Sequence, residues 1–249
     1  MNPARDAIAL YRATEHRRPI FNGYSGYFAP HYWALQHMLD QRDPTALARL
    51  SSMGTIEAVV DHDRDGDGRW RAFLASDPQA SVAYRGKDYT AYRIGRSVAP
   101  AASTLPQLRG APLKIQTITA SLYQDLVGRM TDGDRVTRWH TGGPQDPTNE
   151  ITVDLGAAHQ VCGVEQEIAG YVADFPRVLV IDTSADGVSW SPAWSGTAAI
   201  VALSAALEQP LTIPLRFPFD ARQARYVRLR QTGTDRIYYW SIAELRIYG

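Results

Sequence analysis

The stretch Ile151-Thr152-Val153-Asp154-Leu155-Gly156 decides the fold predicted for the second half of the sequence. Apolar side chains at 151, 153 and 155 alternate with polar ones at 152 and 154, and a glycine ends the run. This period of two residues is typical of a β-strand that buries one face and leaves the other in solvent. The stretch therefore predicts a half-buried strand.

Similar short apolar runs follow at Val178–Asp182, Val227–Leu229 and Ala243–Ile247, with turn residues such as Ser184-Ala185-Asp186-Gly187 between them. Helical periodicity is absent from about residue 113 onward. Several short strands at this spacing predict an all-β sandwich or barrel.

The first half of the sequence instead alternates between helical and strand patterns. A short strand is expected at Pro19–Phe21, and apolar positions from Tyr32 to Leu39 recur at helical spacing. Asp43-Pro44 predicts the start of a second helix, with Asp as N-cap and Pro at the first helical position. A strand at 55–60, a short helix near residues 70–74 and a hairpin from 81 to 94 complete the pattern.

These patterns divide the chain into three parts. Residues 1–96 are predicted to form a small α/β domain, and residues 113–249 a β-sandwich. Between them, residues 97–112 are rich in Ser, Ala, Pro and Gly without periodicity, which predicts a linker. The expected fold class is thus multi-domain, a small α/β (α+β) domain followed by an all-β sandwich.

Charge and composition exclude some classes of partner. The 26 Lys and Arg residues equal the 26 Asp and Glu residues, so the strongly basic character of a nucleic-acid-binding protein is absent. Cys162 is the single cysteine, which excludes an intrachain disulfide. No run approaches the roughly 18 apolar residues of a membrane span, and the sequence from Met1 lacks the apolar region of a signal peptide. We expect either a cytoplasmic protein or a piece of a larger exported or membrane-anchored chain.

Five ordered segments of the second half identify a family. They are Thr131–Trp139 (TDGDRVTRW), Ile151–Gly156 (ITVDLG), Thr183–Trp190 (TSADGVSW), Ala224–Leu229 (ARYVRL) and Ser241–Gly249 (SIAELRIYG). Over roughly residues 115–249 the chain resembles the discoidin, or coagulation factor 5/8 type C, superfamily, which includes the family-32 carbohydrate-binding modules. The resemblance implies an eight-stranded jelly roll whose N- and C-terminal strands are adjacent.

The resemblance also implies a structural Ca²⁺ site that joins two distant parts of the chain. Asp132 and Glu244 would supply carboxylate oxygens, and Thr137 its hydroxyl and carbonyl. Backbone carbonyls would come from Arg129, Asp134 and Ala243. Such an all-oxygen set suits a hard cation that accepts irregular geometry.

A glycan site is expected in the loops at one end of the sandwich, where the resemblance places ligand. Aromatic rings suit the apolar face of a pyranose, and polar side chains satisfy its hydroxyls. The candidate ligand-binding residues are Trp139, His140, Gln145, Arg177, Arg236, Tyr238, Tyr239 and Trp240. Trp139 and Trp240 could equally be core residues, and none of the family's sugar-binding triads is matched cleanly.

The first half resembles another group of proteins. Leu10–Thr14 and Arg18–Tyr27 are similar to the extracytoplasmic tail of bacterial GT-C-type membrane glycosyltransferases. That resemblance implies an extracytoplasmic location, periplasmic or at the cell surface, within a membrane-anchored parent protein. The membrane-embedded part of that parent would then be a partner of this chain.

The leading hypothesis is a non-catalytic carbohydrate-binding module with an attached α/β domain, belonging to a cell-envelope glycan-processing protein. One alternative is a discoidin module that binds protein or a lipid headgroup through Ile237–Trp240. Another is an enzyme with its site in the α/β half, around Asn22, Ser25, His31 and Asp61.

Two further motifs are incomplete. Gly23-Tyr24-Ser25-Gly26-Tyr27 lacks the final glycine of a nucleophile elbow. The acidic loop 61–67 resembles half of an EF-hand loop, but Ala72 stands where the bidentate Glu is needed. A solvated acidic loop is favoured there, and a weak cation site stays open.

Overall fold

The computed structural model of the protein describes residues 3–23, 27–97 and 105–249. The chain divides into two compact units, one formed by Met1–Gln36 with Leu105–Gly249 and the other by His37–Thr104. This division groups the first 36 residues with the sandwich half. The domain limits drawn from the sequence, 1–96, 97–112 and 113–249, remain a prediction. No helix within the described ranges combines the length and the apolar composition that crossing a bilayer requires.

The N-terminal segment contains two helices, α1 (Pro3–His16) and α2 (Tyr32–Asp40). The prediction of α2 is confirmed, whereas the sequence patterns did not indicate α1. The strand expected at Pro19–Phe21 is wrong, since this stretch pairs with no other strand in the described residues. Proline lacks the amide that a sheet ladder needs, and the Phe21 carbonyl instead accepts a hydrogen bond from His31 Nε2 at 3.0 Å.

The second unit confirms the mixed helix-and-strand pattern. Its elements are α3 (Pro44–Ser52), β1 (Ile56–Asp61), α4 (Arg69–Ala75), β2 (Ala80–Arg85) and β3 (Tyr89–Ile94). The strands form an antiparallel sheet in the order β1-β3-β2. Asp43 caps α3 as predicted, because its carboxylate accepts the Thr45 amide at 2.9 Å. The buried core consists of Leu47, Val60, Leu74, Tyr92 and Ile94.

Residues 105–249 contain a β-sandwich. Its strands are β4 (Thr117–Ala120), β5 (Trp139–His140), β6 (Asn149–Glu167), β7 (Val178–Ser184), β8 (Ser191–Thr197), β9 (Pro214–Gln231), β10 (Ser241–Ile242) and β11 (Glu244–Tyr248). The large sheet has the order β11-β6-β9-β7-β8, with β4 also paired to β6, and β5 pairs with β10. Register shifts interrupt the long β6–β9 pair after Asp154 and after Val161. Such irregularities bend paired strands, and the first of them begins within the stretch 151–156, after Asp154.

The first strand β4 and the last strand β11 both pair with β6, and the segment before β4 lies beside β11. Pro112 forms an antiparallel bridge with Tyr248, and the Leu113 amide donates to the Ile247 carbonyl at 2.7 Å. Within the predicted linker, residues 98–104 lie outside the described residues. Leu105 is buried, and residues 111–112 run beside the last strand.

Two helical elements of this half were not expected, a 3₁₀ helix at Gln124–Met130 and one α-helix. α5 (Ala199–Glu208) lies between β8 and β9, although no helical periodicity was found beyond residue 113. Its sequence, AIVALSAALE, is apolar on nearly every side and buries six of its ten residues. A helix buried all round shows no amphipathic stripe, so the periodicity argument could not detect it.

Candidate functional site

The candidate site is built around the short β5–β10 pair at one end of the sandwich. Trp139 pairs with Ile242, and His140 pairs with Ser241. Paired residues point to the same face of a sheet and neighbours in a strand to opposite faces. Trp139, Ile242 and Ser241 are fully buried, whereas His140 is half-buried. The buried Trp139 therefore anchors the strand that presents His140 at the surface.

The two predicted tryptophans belong to the core. Trp139 and Trp240 are both 0% exposed and meet edge to face, with ring centroids 5.2 Å apart. The Trp139 indole donates to the Leu122 carbonyl at 2.9 Å, and the Trp240 indole to Gln166 Oε1 at 3.2 Å. The expectation that these rings form a wall facing ligand is corrected, since neither presents a face to solvent.

Gln145 and Arg177 are also structural. The Gln145 side chain donates to the Tyr239 carbonyl at 2.7 Å and accepts the Arg177 amide at 2.9 Å. The buried Arg177 guanidinium pairs with Asp235 at 2.7 Å and lies over the Phe175 ring. Burial lowers the pKa of Arg177, against the raising effect of Asp235. Their expected place in the ligand set is corrected, because both side chains are used to hold the loop before β10.

Three half-exposed or exposed rings meet at the surface, and we name this cluster of Tyr123, His140 and Tyr239 the His140 surface. The His140 ring lies 5.5 Å from that of Tyr123 and 5.9 Å from that of Tyr239. Gly142 supports the arrangement, since a Cβ there would meet the Tyr123 hydroxyl at 2.2 Å. Its backbone φ of +70° also favours glycine.

The protonation of His140 follows from its surroundings. Burial lowers its pKa, and the positive charge of Arg138 lowers it further. The Gly142 amide donates to Nδ1 at 3.0 Å. Neutral His140 therefore carries its proton on Nε2, which makes that atom a hydrogen-bond donor.

Two charged residues that the sequence did not indicate lie close to this surface. The Arg138 guanidinium stacks 3.5 Å above the Tyr171 ring. The Asp174 carboxylate accepts the Ser241 hydroxyl at 2.6 Å, and burial raises its pKa. Both charges act on His140. The only signal in the sequence is that Arg138 and His140 flank a core tryptophan, which places them on the same face of the strand.

Tyr238 and Arg236 differ from Tyr239 in their surroundings. Tyr238 lies against Trp33 of α2, with ring centroids 5.5 Å apart, and near the Arg177 guanidinium. Burial raises its pKa. Arg236 is exposed on the same loop. The N-terminal segment thus covers Tyr238 and leaves Tyr239 on the His140 surface.

Three residues of the predicted metal site, Asp132, Asp134 and Thr137, contact one another in the acidic turn, residues 132–137. Asp132 accepts the Asp134 amide at 2.9 Å and the Thr137 hydroxyl at 2.7 Å. These bonds lower its pKa. The Gly133 amide interacts with the carboxylate of Glu244 at the start of β11. The two distant segments meet as expected.

Glu244 provides the test of whether these residues fit a cation. Its side chain is buried, and Oε1 has no hydrogen-bond partner among the described residues. Besides the interaction with the Gly133 amide, the carboxylate has a long contact with Arg246, from Oε2 at 3.5 Å. Burial raises the pKa of Glu244. Arg246 and the Gly133 amide lower it, and the carboxylates of Glu167 and Asp132 raise it, so that the pKa stays above its usual value. A buried anion facing like charges is costly unless a cation offsets it, so the donors present fit a divalent ion.

The remaining predicted ligands are backbone carbonyls of the same region, from Arg129, Asp134 and Ala243. The carbonyl of Asp134 accepts the Thr137 amide at 3.1 Å. No group of three His, Cys, Asp or Glu side chains in the described ranges is close enough to hold a metal ion. Two carboxylates plus hydroxyl and carbonyl oxygens are a different set, of the type that Ca²⁺ accepts. A cleft of about 370 Å³ opens beside Glu244.

The residues of the alternative enzyme site are engaged separately. Asn22 donates to Asp6 at 2.9 Å, and His31 to the Phe21 carbonyl. Ser25 lies outside the described residues, and Asp61 belongs to the other unit. In the EF-hand-like loop 61–67, the carboxylate of the buried Asp65 accepts the Trp70 and Arg71 amides at the start of α4.

These features define a β-sandwich module with an aromatic, hydrogen-bonding surface at one end. The F5/8 type C domain family matches residues 117–245, just over half of the chain. The chain therefore belongs to this family.

Several solved modules are similar to this chain. The CBM32 of AlyQ, in complex with 4,5-unsaturated mannuronic acid, has 27% identity and a TM-score of 0.43, covering 55% of this chain and 98% of its own. Chitosan-binding module 1 from a Paenibacillus sp. IK-5 chitosanase/glucanase has 26% identity and a TM-score of 0.43, covering 57% and 100%. The family 32 module of Clostridium perfringens NanJ, in complex with galactose, has 21% identity and a TM-score of 0.42, covering 53% and 93%. No curated protein matches the chain.

Proposed function

We propose that the sandwich binds carbohydrate at the His140 surface and performs no chemistry on it. The observation that carries the proposal is the meeting of three accessible rings with a free Nε2–H donor and a nearby carboxylate. Pyranose rings present apolar C–H faces and equatorial hydroxyls, which such a surface complements. Family membership in F5/8 type C supports the same function.

Each residue of the site would contact a different chemical group of the sugar. Tyr239 and Tyr123 would pack against the C–H face of the sugar, and His140 Nε2 would donate to a hydroxyl or ring oxygen. One carboxylate oxygen of Asp174 already accepts the Ser241 hydroxyl, and the second oxygen would accept a hydroxyl of the sugar. The stabilised loops give the site a fixed shape, so little ordering is required on binding.

A calorimetric titration against glycans chosen from an array tests the proposal. Tyr239→Ala and His140→Ala should each weaken binding by about 10-fold or more, as expected for central contacts, about 1.4 kcal/mol. Tyr84→Ala removes an exposed tyrosine in the other unit and is the matched control, with unchanged affinity. No binding to any glycan, or equal binding by all variants, would contradict the proposal.

We also propose that Asp132, Thr137 and Glu244 hold a structural Ca²⁺ ion. When bound, the ion would neutralise the buried Glu244 carboxylate and join the acidic turn to β11. It has no role in the recognition step, since its ligands are distinct from the residues of the His140 surface.

One observation favours a lipid-binding alternative. Ile237, on the loop before β10, is 70% exposed and follows the exposed Arg236. An apolar tip beside a cation suits a membrane surface. Sedimentation with phosphatidylserine vesicles that is lost on Ile237→Asp, together with no glycan binding, would establish this alternative in place of the sugar site.

The wider context is a further part of the proposal. The similarity of Leu10–Thr14 and Arg18–Tyr27 to extracytoplasmic tails of membrane glycosyltransferases supports an extracytoplasmic module of a cell-envelope glycan-processing protein; residues 24–26 of this motif lie outside the described residues. Held there, the module would raise the effective concentration of glycan near a partner active site. The gene sequence on the 5′ side of the Met1 codon tests this: a frame without encoded membrane spans would contradict it.

A further inference from the structure

Seven arginines of the sandwich half pair with acids, whereas two that lie near the His140 surface form no such pair within the described residues. Paired examples are Arg135 with Glu167, Arg177 with Asp235, Arg216 with Glu165, Arg225 with Asp154, Arg228 and Arg230 with Asp182, and Arg246 with Glu165 and Glu167. The guanidinium groups of Arg129 and Arg138 form no ion pair or hydrogen bond within the described part of the chain. Both nevertheless lie close enough to His140 to lower its pKa.

Arg138 is held in place without using its donors. Its guanidinium lies 3.5 Å over the Tyr171 ring, and the Tyr171 hydroxyl is fixed by donation to the Val136 carbonyl at 2.6 Å. A cation–π contact of this kind orders the side chain and leaves its N–H groups unbonded. A half-buried, ordered guanidinium whose donors have no partner among the described residues is suited to an anion that offers two adjacent oxygens, such as a carboxylate or a sulfate.

Two cations, Arg138 and Arg129, and one acid, Asp174, act on His140. Arg138 also acts on Asp174, which already accepts the Ser241 hydroxyl, whereas Arg129 interacts with Asp132 of the acidic turn. His140 is kept neutral by burial and by the two cations. Asp235, on the loop before β10, pairs with Arg177.

We infer that the glycan bound at the His140 surface is anionic, and that Arg138 binds its carboxylate or sulfate ester through parallel N–H···O bonds. The inference rests on the proposed function, since it names the class of sugar for that same site. Arg129, which is exposed at the edge of the His140 surface, adds electrostatic attraction for the anion without a defined contact geometry.

The test compares sugars that differ in charge alone. Uronic acid trisaccharides are titrated beside their carboxyl-reduced counterparts, and neutral trisaccharides beside their 6-sulfated forms. We expect at least one anionic probe to bind about 10- to 100-fold more tightly than its neutral partner, as for a charge-assisted bidentate contact. The arm that shows the difference identifies carboxylate or sulfate as the source.

Variants then assign the preference to Arg138. Arg138→Gln should remove most of the difference between anionic and neutral probes and leave affinity for the neutral sugar within about threefold. Lys114→Ala removes an exposed positive charge beside Leu113, far along the last strand from Ser241, and should leave the preference unchanged.

The outcomes separate this inference from the function beneath it. Equal binding of charged and neutral probes, or an anion preference that survives Arg138→Gln, overturns the inference while sugar binding stands. No binding to any probe overturns the proposed function as well.

Discussion

Trp240→Ala is expected to lower the free energy of unfolding of the sandwich by about 3–5 kcal/mol, the usual effect of deleting a large buried aromatic side chain. The ring is fully buried against Trp139, and its indole donates to Gln166, whose Nε2 already lacks a partner. Removing the indole would leave a cavity and a second unpaired buried atom. Urea unfolding measures the loss.

Two further variants keep this prediction decisive. Trp240→Phe retains most of the packing and should cost about 1–3 kcal/mol, the penalty of the orphaned Gln166 oxygen. Trp190→Ala is the matched control, because Trp190 is half-buried with Arg228 over its ring and should lose about 1 kcal/mol or less. A Trp240→Ala protein of normal stability that had lost only glycan affinity would return Trp240 to the ligand set.

Calcium is expected to stabilise the wild-type protein by about 2.7 kcal/mol when present at 100 times its dissociation constant. Glu244→Gln should abolish this effect. The same variant should be more stable than wild type in chelator, because burial and the repulsion by Glu167 and Asp132 outweigh the attraction of Arg246 for this carboxylate. The order of melting temperatures of the two proteins therefore reverses between calcium and chelator.

The pH dependence in chelator follows from the same group. Folding raises the pKa of Glu244 above its usual value of 4.5, so the protonated form is favoured in the folded state. Its contribution is favourable at low pH and is lost as pH rises through the folded pKa. The deficit of wild type relative to Glu244→Gln should accordingly shrink on acidification. Asp220→Asn, at an exposed carboxylate, is the control. Identical melts with calcium and chelator would remove the metal site.

The sequence predicts the sandwich well because the decisive information is local and ordered. The alternation at Ile151–Gly156 lies in β6, and the expected meeting of the acidic turn with Glu244 is confirmed through Gly133. The helix α5 escaped prediction because it is apolar on nearly all sides. Likewise, α1 is only weakly apolar overall, and its exposed Ile8 and Tyr11 do not mark a buried face.

The site was predicted less completely, because burial decides which of the candidate side chains can reach a ligand. Trp139 and His140 are consecutive, and only the pairing of β5 with β10 shows which of the two faces solvent. Tyr123 comes from a turn with positive φ, and Asp174 from the segment after β6. Residues so far apart in sequence carry no common spacing, so no motif could connect them.

Side-chain NMR of protein labelled at His, Tyr and Trp tests whether sugar contacts the His140 surface. On titration with a glycan that binds, the ring signals of Tyr123, His140 and Tyr239 should shift in proportion to occupancy, while those of buried Trp139 and Trp240 stay in place. Shifts confined to Tyr238 or to the second unit, with the His140 signals unmoved, would contradict the account.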